Sequence, residues 1–489
     1  MKKWSARVLA AVVAITAAQA VAAPRWEARA GATPSVTYSN NICLSDKNEK
    51  HGYYGSLTPY GSITGESRNA AVNLNGSVNL NSLTNSFLRS KDCNADFNER
   101  TQYNPNIRGS FRAKLIPNLM NITGNLRVRD DEINSRNRNS FDDLQRSGTS
   151  NTVYRYKVVP SMERRLGSRL RAKLDYTYDE VINTNDLAVD NRRQGIGLVF
   201  RQQGAAALKL SLSGRYSEVD YGENINGVAR DDTKLSYARL GFNYKVSRSL
   251  TVDGNIGKEW NNIESVIPLD DDDNLWQANI KWAPSRRTAV LLGLGDRFFG
   301  KTPRVDINHQ RKNHSFGLRY RRELRFRTDL NVDDIFAFIE DPDRFYNPNI
   351  FSTTPIIDER VDVGWAYNGR GASITLSGNY SQQKRTLDDV EVEFKDVFLT
   401  YRPRTSGRIN YSASVGWQDD EPRNLFNNNE PIPGEIISDE SYYMRLQASR
   451  SYTSGVNLSA SYRMVFRDED SPGNEYQEFR LSASYNFSI

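Results

Sequence analysis

The chain ends on Glu478 to Ile489, E-F-R-L-S-A-S-Y-N-F-S-I. Phe479, Leu481, Ala483, Tyr485 and Phe487 alternate with Arg480, Ser482, Ser484, Asn486 and Ser488, which predicts a strand with one apolar and one polar face. A soluble sandwich can bury such a face. A membrane β-barrel can also close on a C-terminal strand of this kind, so the rest of the chain has to decide.

The same period of two recurs upstream. Val72, Leu74, Val78 and Leu80 alternate with Asn73, Asn75, Ser77 and Asn79, and Leu170, Ala172, Leu174, Tyr176 and Tyr178 with Arg171, Lys173, Asp175, Thr177 and Asp179. No helical period competes, and no run after residue 23 has the 18 or so apolar residues of a membrane helix.

The connections sharpen the reading, because short ones alternate with long ones. Pro117-Asn118, Gln203-Gly204, Ser247 to Ser249, Pro284 to Arg286 and Gly369 to Gly371 read as tight turns. Between such turns lie long polar stretches: Asn40 to Gly52, Leu83 to Glu99, Asp130 to Ser150, Asp220 to Asp232, Asn261 to Asn274, Arg325 to Asp358 and Asp419 to Asp439. A sandwich has no reason to keep that rhythm. The fold class expected is therefore all-β: a transmembrane antiparallel up-and-down β-barrel of about 22 strands (range 16 to 22), with short periplasmic turns and long extracellular loops.

Composition agrees. Hydrophobic residues make up 38% of 489, with a mean hydropathy of −0.66, which is low for a soluble core of this size. Yet 25 Tyr, 20 Phe and 7 Trp argue against disorder. A barrel satisfies both, since only the outer half of each strand must be greasy. Trp260, Trp276, Trp282, Trp365 and Trp417 fall towards strand ends, as interfacial girdles do. The net charge of +6 is spread along alternating positions, not gathered in a patch, so no nucleic-acid partner is expected.

Lys2, Lys3 and Arg7 precede an apolar run from Val8 to Ala18 and the small-residue site Ala18-Gln19-Ala20, the pattern of a secretory signal peptide. The expected organisation is a signal peptide over residues 1–22 and one barrel domain over 23–489, addressed to the cell outer membrane. The two cysteines, Cys43 and Cys93, read as a disulfide between neighbouring loops of an exported protein. Closing about 50 residues would stabilise by roughly 4 kcal/mol on the chain-entropy account.

Leu291 to Lys301, L-L-G-L-G-D-R-F-F-G-K, with Arg304 to Arg311, R-V-D-I-N-H-Q-R, Ser315 to Tyr320, and the early segment Ala32 to Asn41, A-T-P-S-V-T-Y-S-N-N, resembles a family of outer-membrane β-barrels. That family is associated with exosortase (PEP-CTERM) and exopolysaccharide loci of Gram-negative bacteria. The resemblance implies fold and location, and supplies no catalytic residues.

Nothing else in the chain reads as a reaction centre. There is no H-E-x-x-H, C-x-x-C or P-loop, and only His51, His309 and His314 occur. No catalytic residue, metal ligand or cofactor is expected, and the chain is read as a non-enzyme. The informative chemistry is lumenal charge: Arg127, Arg129, Arg171, Lys173, Arg215, Arg239, Arg319, Arg321, Arg445 and Arg480 lie on polar strand faces. Facing lipid each would cost about 2 to 4 kcal/mol near the midplane, so they are expected to point inward. Two consequences stay open: these cations pair with inward acids such as Asp175 and Glu478 to stiffen the wall, or they bias the lumen towards anionic solutes.

Acidic runs such as Asp130-Asp131-Glu132, Asp270 to Asp273 and Asp419-Asp420-Glu421 are read as solvated outer loops, and apolar Ile335 to Ile339 with Phe345-Tyr346 as a segment folding back to narrow the lumen. The function expected is export or passage of extracellular polysaccharide in an exosortase-associated system. The alternative is a general diffusion porin for small, anionic solutes, with an outer-membrane hydrolase behind it. Expected partners are outer-membrane lipid, lipopolysaccharide and polysaccharide-export components.

Overall fold

The computed structural model describes residues 25–41, 49, 51–83, 101–132, 150–185, 188–222, 232–265, 267–269, 272–325, 355–386, 389–404, 409–423, 426–427, 430–431, 439–452, 456–469 and 476–488. In chain order the strands are β1 (Arg25–Ser39), β2 (Gly52–Glu66), β3 (Ala70–Leu83), β4 (Thr101–Ile116), β5 (Met120–Glu132), β6 (Ser150–Leu166), β7 (Leu170–Asn183), β8 (Asn191–Gln202), β9 (Leu208–Tyr221), β10 (Thr233–Lys245), β11 (Leu250–Asn262), β12 (Asp272–Ser285) and β13 (Thr288–Arg297). They continue through the short β14 (Gly300–Lys301), β15 (Arg304–Arg311), β16 (His314–Arg325), β17 (Ile356–Asn368), β18 (Ala372–Arg385), β19 (Glu391–Pro403) and β20 (Ile409–Arg423) to the short β21 (Phe426–Asn427) and β22 (Glu430–Pro431), then β23 (Asp439–Ser451), β24 (Asn457–Glu469) and β25 (Tyr476–Ser488).

Without the three two-residue pieces these form a closed antiparallel barrel of 22 strands, the upper end of the expected range. The C-terminal strand does close the barrel: Ala32 pairs with Phe487 and Ser39 with Arg480. Thr37 and Ser482 share a hydroxyl hydrogen bond of 2.8 Å across the seam, and the Asn40 side-chain oxygen accepts the Phe479 N–H at 2.7 Å. Closure matters physically because the first and last strands then pair with each other instead of presenting two open sheet edges to lipid.

Alternation sorts the side chains. Leu240, Ile256, Ile280, Leu292 and Leu399 stand exposed on the outside, where lipid would cover them. Trp260, Trp276 and Tyr442 sit towards the rim of long connections, and Tyr244, Trp282 and Tyr411 towards the rim of short turns, making two aromatic belts. At about 4.8 Å per strand and a tilt near 40°, 22 strands enclose a barrel about 40 Å across.

The described residues of the acidic runs lie in strands, not loops; Asp270 and Asp271 lie outside the described residues. Asp130 to Glu132 belong to β5, Asp272 and Asp273 to β12, and Asp419 to Glu421 to β20. A strand of 13 residues rises about 34 Å along the barrel axis, more than the roughly 25 Å apolar band. The hydrogen-bonded ladder therefore continues above the lipid, where charged residues cost nothing on the outer face. There Lys395 holds Asp419 at 2.9 Å and Glu421 at 3.0 Å.

Two small apolar cores lie at the rim of long connections. Ile356, Val390, Val392 and Phe394 form one. Phe298, Phe299 and Ile357 form the other, with Leu235, Ile263, Leu269 and Leu324 against them. The second is built by the D-R-F-F-G-K stretch itself. Asp296 pairs with Lys301 and Arg297 with Gly300, so the chain reverses there, and Gly300 takes a φ of 98° that a side chain would strain. The Arg322 guanidinium donates to the Phe299 and Lys301 carbonyls at 3.1 Å each, fixing the tip from β16.

The expected signal peptide, the Cys43 and Cys93 pair, and the proposed lumen-narrowing residues 335–346 all lie outside the described residues.

Candidate functional site on the inner wall

Register decides which inward side chains become neighbours. On β3 to β6, Asn75 pairs with Arg108, Arg108 with Arg127, and Arg127 with Arg155. The adjacent row runs Asn73, Ser110, Asn125, Lys157. These two rows line a groove of about 380 Å3 in the inner wall. Among the described residues its polar lining is three amides, one hydroxyl and four cations. Asp179 holds Arg155 from the flank through two bonds, 2.9 Å to Nε and 2.6 Å to Nη2. That fork fixes the guanidinium plane.

Further round, cations and acids interlock. Arg171 reaches Glu163 at 2.6 Å, while Asp175 lies 3.8 Å from Lys173 and 3.6 Å from Arg215, whose Nη2 also donates to Thr177 at 3.0 Å. Arg239 donates to Ser213 at 3.1 Å and lies over the Tyr237 ring. Arg297 grips Glu259, which is 2% exposed.

On β17 the centre of the inner wall is solvent-excluded. Asp358 and Arg360 are 0% and 1% exposed; Asp358 lies 3.2 Å from Arg325 and 3.5 Å from Arg360, and accepts the Ser381 hydroxyl at 2.8 Å. Arg321 meets Glu323 at 3.2 Å, Arg319 meets Asp306 at 3.7 Å, and the Asn379 amide donates to Asp362 at 2.6 Å.

The expected lumenal cations thus divide. Arg127 and Arg129 belong to the β3–β6 wall, Arg171, Lys173, Arg215 and Arg239 to the mixed sector, and Arg319 and Arg321 to the interlocked wall. Arg445 and Arg480 flank Arg463 in one cross-strand row beside the seam, with Arg480 buried. Arg108, Arg155 and Lys157 complete the groove, and sequence reasoning had passed over them.

The histidines are scattered. His51 is exposed, His309 Nδ1 lies 2.9 Å from the Thr288 hydroxyl near the rim of short turns, and His314 packs on Tyr367 with ring centres 4.9 Å apart. Among the described residues one trio of acids approaches metal-ligand spacing, Glu218, Asp220 and Asp232. Two of its members already meet cations, Lys234 at 3.4 Å from Glu218 and Arg192 Nε at 2.9 Å from Asp220, and both strand members face outward.

No family model and no curated protein matches the chain. Solved structures do. The ferric enterobactin receptor of Pseudomonas aeruginosa is similar at TM-score 0.53 and 10% identity, over 95% of this chain and 80% of the receptor. The siderophore receptor PirA of Acinetobacter baumannii gives 0.53 and 10% over 94% and 80%, and the FrpB iron transporter of Neisseria meningitidis 0.51 and 10% over 94% and 82%. The fold is therefore that of outer-membrane β-barrel receptors and transporters.

Proposed function

We propose that this chain is an outer-membrane barrel for the export or passage of extracellular polysaccharide in an exosortase-associated system. The observation that carries the reading is the inner face of β3 to β6, where Asn73, Asn75, Ser110 and Asn125 set amides and a hydroxyl among cations along the wall. Such groups exchange hydrogen bonds with sugar hydroxyls at little desolvation cost, because both partners stay wet. The resemblance of the Leu291 to Lys301 region supports the exosortase setting, with polysaccharide-export components and lipopolysaccharide as partners. The likeness to siderophore receptors, at about a tenth identity, supports passage without naming a cargo.

Deleting the gene is expected to lower secreted polysaccharide and to leave polymer in the periplasm. Unchanged secretion without accumulation contradicts the reading. A general diffusion porin is the second reading, favoured by a barrel about 40 Å across with charged inner walls. It predicts constitutive swelling of protein-loaded liposomes in small anionic solutes. A hydrolase is disfavoured by the scattered histidines: among the described residues no hydrogen bond joins a histidine to a carboxylate.

A further inference from the structure

We infer that the inner face at the barrel seam, on β25, β1, β2 and β3, is a contact surface for an uncharged, hydroxyl-rich polymer, a neutral stretch of glycan. The inference rests on the passage reading above and narrows it to one chemical class and one sector of the lumen.

Charge is missing there over a long run of chain. Of all residues 25% are charged, yet Ala30 to Ser39 of β1, Gly52 to Gly65 of β2, all of β3 and Leu481 to Ser488 of β25 contain no Asp, Glu, Lys or Arg. Strand pairing makes these segments neighbours. Register then sets hydroxyls and amides in cross-strand rows on the inner face. One row runs Ser459, Ser484, Ser35, Ser56, and the next runs Asn486, Thr33, Thr58, Asn79. At about 4.8 Å between strands, each row spans roughly 14 Å, the length of a few sugar rings.

The rows hold one another in place and keep bonding capacity. Ser35 shares a hydrogen bond with Ser56, and Ser459 one of 2.6 Å with Ser484; a hydroxyl pair sharing a single bond retains one O–H and three lone pairs. All four side chains stay half-buried, open on the lumen side. The Asn486 amide donates to the Thr33 hydroxyl at 2.8 Å, and the Tyr60 hydroxyl donates to the Asn486 side-chain oxygen at 3.0 Å. That second bond pins a half-buried aromatic ring among the hydroxyls, a flat apolar face for the C–H side of a sugar ring. Stapling of the seam explains the bond between Thr37 and Ser482, but not Asn73 and Asn75 on β3, whose side chains stand exposed. Groups that both donate and accept match sugar hydroxyls in either sense. Without formal charge each contact is weak, so a polymer is held along its length and can still move on.

The test uses the full mature chain in lipid nanodiscs, in a Cys43→Ser, Cys93→Ser background. Ser56→Cys reports on the neutral sector, and Ser211→Cys, on the polar face of β9 between Lys209 and Ser213, is the control. Dextran is the neutral probe and dextran sulfate of equal length the charged one. Dextran is expected to slow modification of Ser56→Cys by a polar thiol reagent at least about threefold and to leave Ser211→Cys nearly unchanged. That protection is expected to be the same at about 0.1 M and about 1 M salt, because no charge takes part. Dextran sulfate is expected to protect Ser56→Cys less than dextran does. Adding Tyr60→Ala is expected to raise the dextran concentration for half-protection at least about threefold. Equal protection at both positions, protection that salt removes, stronger protection of Ser56→Cys by dextran sulfate, or unchanged protection without the Tyr60 ring overturns the site. The comparison of the two cysteine positions stands even if the Tyr60 variant folds poorly. Dextran protection of Ser56→Cys with normal secretion in the deletion strain keeps the site and removes the export reading. No protection with lost secretion does the reverse.

Discussion

The inner walls of β3 to β6 and of β16 to β19 are made from the same strand pattern and behave oppositely. Asp358 has Arg325 at 3.2 Å and Arg360 at 3.5 Å, and Asp358 and Arg360 are both closed off from water. Around Arg127 the neighbours across both ladders are other arginines, and the side chains stay partly exposed in a groove. The contrast is one of burial and register: one part of the inner face is closed off from water, and another stays open as a groove.

The comparison is easiest to break on the interlocked wall, where the largest effect is expected. Arg360→Met removes one of the cations beside the buried Asp358 carboxylate and leaves it Arg325 and the Ser381 hydroxyl. It is expected to cost about 3 to 5 kcal/mol in urea unfolding followed by tryptophan fluorescence. A loss below 1 kcal/mol would mean that this wall is as wet as the other.

Next in size is the apolar tip beside it. Phe299→Ala empties part of the Phe298–Phe299–Ile357 core. It should cost about 3 kcal/mol of local stability, read as faster amide exchange over residues 296–301 with β3 to β6 unchanged.

On the groove the order reverses, with a small stability effect and a clear functional one. Arg127→Gln is expected to change unfolding free energy by less than about 1 kcal/mol while moving the bilayer reversal potential towards cations. Wild-type cation preference would contradict the account of this wall.

The smallest effect belongs outside the barrel. Lys395→Gln breaks contacts to Asp419 and Glu421 that water already screens, so no more than about 1 kcal/mol is expected.

How much of this could be read from the chain follows from what each feature depends on. The strands were legible because lipid on one side and water on the other force a period of two, as in Val72 to Leu80 and in the closing strand. The strand ends were not, because a ladder needs no apolar residues once it leaves the membrane, so Asp419 to Glu421 looked like a loop. Arg127 and Arg129 were legible as polar-face cations. Their companions were not: β6 carries adjacent Val158, Val159 and Pro160, which blur the alternation around Arg155 and Lys157. Which cations become neighbours depends on register, set by turn length and by the irregularity between Lys114 and Ile116, and no single strand records that. The Asp358 network had a visible trace, since Arg319, Arg321, Glu323 and Arg325 share one face of β16 while Asp358, Arg360 and Asp362 share one face of β17. Read as a pair of strands, they announce an interlocked wall.

The account rests on lipid outside and water inside, and site-directed labelling tests that most directly. In a Cys43→Ser, Cys93→Ser background, Ile256→Cys sits mid-strand on the outer face and Asn125→Cys mid-strand in the groove. In proteoliposomes a charged, membrane-impermeant thiol reagent is expected to modify Asn125→Cys and spare Ile256→Cys, while brominated lipids quench a fluorophore only at position 256. Modification of Ile256→Cys with protection of Asn125→Cys would contradict it.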